Sequence, residues 1–151
     1  TRVLALPPLT ELGELPQGLH LATLREVLER FGVGSRQRRA VALRLERIYR
    51  AARASGHLAR FVVFGSFVTD KPEPNDLDVF LLMEDTFDAS TVEGETRLLF
   101  DHAAAQAAFG ASVFWLRRRA AWEGEATAIE YWQVKRGGDR RGIIEIISEA
   151  P

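Results

Sequence analysis

Two aspartates one residue apart carry the clearest chemistry in this chain. Asp76 and Asp78 flank Leu77 and lead into an apolar run at residues 79–83. Residues i and i+2 of a strand point to the same face. Two carboxylates therefore stand side by side at the start of an apolar strand. Such a pair repels itself and is costly beside a core. A divalent cation stabilises it, and hard oxygen ligands suit Mg²⁺.

The residues before the pair have a matching character. Phe61, Val62, Val63 and Phe64 read as a buried strand. Gly65-Ser66 ends it and opens a turn-rich loop with Lys71, Pro72, Pro74 and Asn75. Polar turn residues explain part of this pattern without any site, because Asp and Asn bond their own backbone in turns.

The order strand, Gly65-Ser66, a ten-residue step to Asp76, then Asp-x-Asp on the next strand resembles the nucleotidyltransferase superfamily. Its members have the DNA polymerase β-like fold, and the likeness is greatest to the small single-domain bacterial ones. The matching residues are Gly65, Ser66, Asp76 and Asp78. The motif covers 24 residues, from Phe61 to Glu84, and the order of elements around it agrees. The resemblance implies an α+β fold, with a mixed sheet of about four strands and helices mainly on one face.

It also implies a nucleoside triphosphate (NTP) as substrate or ligand. Gly65 and Ser66 would face its phosphates, and Asp76 and Asp78 would hold Mg²⁺, with two ions possible. The residue types suit that task. Glycine lets backbone approach phosphate without a Cβ in the way, and serine adds a hydroxyl donor. Paired carboxylates bridge metal ions that orient a triphosphate and neutralise its leaving group. Lys71 either reaches a phosphate or stays solvated.

Active members of that superfamily usually carry a third carboxylate on a following strand, often as general base. Here Ser112 stands at that position, in the run Ala111-Ser112-Val113-Phe114-Trp115. Serine ligates Mg²⁺ poorly and is no base at neutral pH. Glu145 is the best substitute and joins Asp76 and Asp78 as a catalytic candidate. It lies amid four isoleucines, on the same face as Ile143 and Ile147. A solvated edge strand, or a pair with an arginine, explains it equally well. Glu84 and Glu130 are weaker candidates, in a loop and a helix.

The elements that must position these groups read as follows. Residues 1–18 form an extended arm, because Pro7, Pro8 and Pro16 block helix. Residues 19–151 form one domain. Leu21, Leu24, Val27, Leu28 and Phe31 mark a short amphipathic helix. Ser35 caps a long one reaching about residue 55, with Val41, Leu45, Ile48, Tyr49 and Ala52 as its apolar stripe. Its other faces carry Arg36, Arg38, Arg39, Arg44, Arg47, Arg50 and Arg53. These read as a solvated side, or as a surface for RNA, nucleotide phosphates or an acidic partner. No aromatic residues interleave to stack bases.

Ser90-Thr91-Val92-Glu93 has capping-box form and predicts a helix to about residue 109, closed by Gly110. Residues 112–116 predict a strand, 121–134 a helix and 143–147 a final strand. The glycine-rich turn at residues 137–142 holds Arg140 and Arg141, as a phosphate clamp or as plain connecting residues. His20, His57 and His102 have no metal-ligand spacing.

Composition narrows the classes. The chain has 151 residues, a formal net charge of −1 and no cysteine. That excludes a disulfide framework and a cysteine zinc site. No apolar run approaches the roughly 20 residues needed to span a membrane, so no membrane role is expected. The N-terminus lacks signal-peptide form, and the cytoplasm is the expected compartment. The near-zero charge gives RNA binding weak support.

Two functions remain open. One is an Mg²⁺-dependent transferase moving a nucleotidyl group from an NTP to a hydroxyl on a protein, RNA or small molecule. The other is a degenerate module that binds a nucleotide or a partner protein, as small members do in toxin–antitoxin pairs.

Overall fold

The computed structural model describes residues 6–135 and 137–148. Alternating and β-branched apolar runs build one five-stranded sheet: β1 (Leu19–Thr23), β2 (Leu58–Phe64), β3 (Leu77–Met83), β4 (Ala111–Arg117) and β5 (Ile143–Ile147). The spatial order is β1-β5-β2-β3-β4. β2 is antiparallel to both β3 and β5, whereas β1–β5 and β3–β4 are parallel. The protein is thus α+β with a mixed sheet.

Among the described residues, five α-helices accompany it: α1 (Leu24–Phe31), α2 (Arg36–Ala54), α3 (Gly94–Leu98), α4 (His102–Phe109) and α5 (Glu125–Glu130). The period-2 alternation of the strands divides the core in two. Phe61, Val63, Val79, Leu81, Val113, Ile144 and Ile146 face α1, α2 and α4, where Val27, Val41, Leu45, Ile48 and Phe109 are buried. The other face carries Val62, Phe80, Leu82 and Ile143, covered by Ile129 of α5 and by Trp132. Four of the strands match the sequence reading, and most helices lie on one face as expected.

The fifth strand, β1, is a correction. The apolar period starting at Leu21 predicts helix, but residues 19–23 pair with β5. The helix begins only at Leu24, because Thr23 and Glu26 form a capping box there. The long helix predicted over residues 91–109 is two short ones. Asp88 bonds the amide and hydroxyl of Ser90, holding a turn where a helix start is expected. Asp101 caps α4 through the Ala104 amide. The predicted helix over 121–134 shrinks to α5, flanked by 3-10 turns at Arg118–Ala120 and Tyr131–Gln133.

Residues 1–5 of the expected arm lie outside the described residues. From Leu6 on, the arm packs on the body: Leu6 and Leu9 meet the core and Leu15 is fully buried. The Gly13 carbonyl accepts the Asp70 amide at 2.9 Å, and Glu14 bridges to Thr69. The arm therefore straps the loop that follows Gly65.

One arginine of α2 does not belong to a solvated face. Arg38 is 7% exposed. Its guanidinium donates to the carbonyls of Phe31, Phe67, Thr69 and Lys71. Burial lowers its pKa, partly offset by Asp70. Planar, multi-donor geometry suits a guanidinium to gathering several carbonyls at once. Arg47 is also engaged, with Glu95, the Ala108 carbonyl and the Phe109 ring.

Among the described residues, no helix is long and apolar enough to cross a membrane.

Candidate functional site

The site grows from the turn between β2 and β3. β2 ends at Phe64, and Gly65 takes φ +84° and ψ −164°. That backbone region is open almost only to glycine. A 3-10 turn, Ser66–Val68, follows at once. Phe67 and Val68 are buried, so the turn is anchored in the core. The Thr69 hydroxyl donates to the Ser66 carbonyl at 2.7 Å. Arg38 then fixes one carbonyl within this turn, that of Phe67, and two that follow it, those of Thr69 and Lys71. The next residues hang from α2: Ser35 donates to the Pro72 carbonyl, and Gln37 to the Pro74 carbonyl and Asn75 side chain. The chain is thereby delivered to Asp76.

Asp78 sits in β3 opposite Phe64 of β2, and beside Ser112 of β4. Its carboxylate lies against Gly65, in the space that a Cβ on that glycine would need. Gly65 therefore serves two needs, an unusual φ and room for Asp78. The Asp78 carboxyl is pushed up to about 6, first by burial and then by the charge of Asp76; Arg141 pulls it back. Asp76 itself is exposed, one residue before the strand. The structure sets Asp78 against Gly65, with the charge of Asp76 acting on it and Ser66 next to Gly65 in the chain.

Arg141 is the residue whose role the sequence left open. Its amide donates to the Gln133 carbonyl, and its guanidinium lies 3.5 Å from Glu14. Its charge is felt at Asp78. The glycine-rich turn thus pairs Arg141 with Glu14 while its charge still acts on Asp78. The three glycines and adjacent arginines at residues 137–142 were the available signal. Lys71 is exposed, with its carbonyl held by Arg38.

Two other candidates are placed differently. Ser112 stands next to Asp78 in register, and its hydroxyl accepts a hydrogen bond from Gln106 at 2.8 Å. Glu145 faces Val62 on β2, further along the sheet than Asp78, which faces Phe64. Both Glu145 oxygens are taken by Arg60, at 2.6 and 3.1 Å, and Glu125 lies 3.6 Å from the same guanidinium. Among the described residues, no three His, Asp or Glu side chains cluster in a way that could hold a metal ion.

A second feature adjoins the carboxylates on the same face. Phe64, Phe80 and Phe114 lie within 4.8–5.4 Å of the Trp132 ring centre. Beyond them a cavity of about 550 Å³ opens against β4.

An α+β domain with two neighbouring carboxylates, Asp78 half-buried on a glycine turn and Asp76 exposed, is what fold and site define. The chain belongs to a family of unknown function, DUF6932, whose pattern it matches over residues 7–147. No curated protein and no solved structure matches it.

Proposed function

We propose that this protein binds an Mg²⁺–NTP complex at Asp76 and Asp78 and belongs, by mechanism, with the nucleotidyltransferases. One observation carries the reading. Asp78 is half-buried on Gly65 with Asp76 beside it, and both burial and repulsion oppose its ionisation. A carboxylate held in so unfavourable a place needs a cation partner, and Arg141 offsets the cost only in part.

The donor set fits Mg²⁺, which is commonly held by one or two carboxylates together with substrate phosphates and water. A complete protein cage is not needed, so the lack of a third acid does not count against binding. The bound ion supplies charge neutralisation and alignment of the phosphates. The chain's own residues do the rest. The Gly65 turn seats the Asp78 carboxylate, and the Ser66 hydroxyl would donate to the triphosphate. Arg141 and Lys71 add positive charge to the same mouth. Asp76 and Asp78 would hold the ion that neutralises and orients the phosphates.

Transfer to a hydroxyl would also require a proton acceptor, with Glu145 the sequence-based candidate. A second reading, binding without turnover, is favoured by two observations. The neighbour of Asp78 on β4 is Ser112, and Glu145 is bound through both oxygens to Arg60. Calorimetry with Mg²⁺ and each NTP tests the common part: wild type binds and Asp78→Asn does not. Pyrophosphate release in the presence of lysate then separates the two. Release supports the transferase; tight binding without release supports the module.

A further inference from the structure

We infer that the cavity along the open edge of β4 is a nucleobase site. Among the described residues β4 pairs with β3 alone, so it is the edge of the sheet. An edge strand turns alternate backbone N–H and C=O groups outward. The cavity of about 550 Å³ lies along this edge, lined by four consecutive residues, Val113 to Leu116. Its volume is in the range of small-molecule sites.

The walls are rings. Phe80, Phe114, Tyr131 and Trp132 come from the sheet and the segment after α5, while Phe100 and His102 come from the α3–α4 side. The His102 ring lies 5.6 Å from that of Phe114. Tyr131 is 65% exposed, so a large ring stands at the opening with little to cover it. Trp132 has its indole N–H buried without a hydrogen-bond partner. Flat aromatic walls favour a flat ligand, and an unpaired strand edge favours one whose rim carries donors and acceptors. A purine or pyrimidine has both properties; an aliphatic chain has neither.

Position adds the link to the carboxylates. Phe80 follows Asp78 by two residues on β3, and Phe114 follows Ser112 by two on β4. Two strand residues span roughly 6.6 Å, a gap that one ribose bridges. A base seated in this cavity would reach Asp78, which is not among the residues lining it, through the sugar and phosphates of a nucleotide. The base belongs either to the NTP itself or to a nucleoside-bearing acceptor. The inference rests on the proposed function only for that link.

The test measures binding of adenosine, guanosine, cytidine and uridine without metal, by quenching of tryptophan fluorescence and by calorimetry. Inorganic tripolyphosphate with Mg²⁺ probes the carboxylates separately. At least one nucleoside should bind, and Tyr131→Ala and Phe114→Ala should each weaken it about tenfold, the scale of one base–aromatic stack. Tyr131 is exposed, so that variant keeps the fold. Tripolyphosphate binding should be lost in Asp78→Asn and unchanged in Tyr131→Ala. Competition between the nucleoside and Mg²⁺–NTP assigns the site to the NTP base; simultaneous binding assigns it to an acceptor. If no nucleoside binds and Tyr131→Ala leaves NTP affinity intact, the nucleobase site is wrong while the carboxylate site stands. If nucleosides bind but Mg²⁺–tripolyphosphate does not, the proposed function is wrong and the base site stands.

Discussion

The carboxylate of Asp78 occupies the space beside Gly65 that any other residue's Cβ would fill. Gly65 also holds φ +84° and ψ −164°. Gly65→Ala should therefore cost about 1–3 kcal/mol in backbone strain alone, and it should push Asp78 from its place. Urea unfolding reads the first effect and Mg²⁺–NTP calorimetry the second. A variant with unchanged stability and affinity would mean that the turn has no special geometry.

Asp78 also sets a pH dependence. Its folded pKa of about 6 lies above the usual value of about 4. Between those values the folded state binds more protons than the unfolded state. Stability therefore falls as pH rises through about 4 to 6 and stays lower above. Asp78→Asn should stabilise the metal-free protein by about 1–2 kcal/mol at pH 8, a value reduced for solvent screening. It should do nothing near pH 3.5. Thermal unfolding at both pH values checks this. In the wild type, affinity for Mg²⁺–NTP should rise as pH passes 6, because the ligating group must ionise.

Arg38 should matter far more than a surface arginine. Replacing it with Met leaves the carbonyls of Phe31, Phe67, Thr69 and Lys71 without their donor. We expect a loss of about 3–5 kcal/mol, the scale for breaking a buried charged network. Arg38→Lys should recover only part, because an ammonium has fewer donors and no planar fork. Hydrogen exchange should show residues 65–75 losing protection first. An Arg38→Met protein of wild-type stability would refute the buried clasp.

Glu145 offers a contrast between structure and chemistry. Its two hydrogen bonds to Arg60 make it a structural partner. Glu145→Gln should destabilise by about 1–3 kcal/mol and leave Mg²⁺–NTP affinity unchanged. Loss of turnover at constant stability would instead assign it the missing acid's role.

The sequence made the central motif legible because each part is local. Gly65-Ser66 needs only a turn, and Asp76 and Asp78 need only the strand period to share a face. Four strands were legible for the same reason. β1 was not, because Leu21 fits a helical period with Leu24, Val27, Leu28 and Phe31 as well as a strand period with Leu19, and only pairing with β5 decides between them. The split of α3 from α4 depends on Asp101 capping, which competes with continued helix at almost equal local cost. Arg38 was hidden because its helical face looks like its neighbours'; its partners lie about 30 residues away in the loop. Glu145 looked chemical in isolation, and Arg60, 85 residues distant, accounts for its burial. The aromatic cavity was also invisible, since its walls come from separate segments meeting at one sheet edge.

The most direct test is calorimetric titration of the wild type and Asp78→Asn with each NTP, with and without Mg²⁺, at pH 8. The account predicts Mg²⁺-dependent binding of at least one NTP to the wild type, lost in a folded Asp78→Asn protein. Binding that ignores Mg²⁺ and the substitution, or no binding of any NTP, would contradict it.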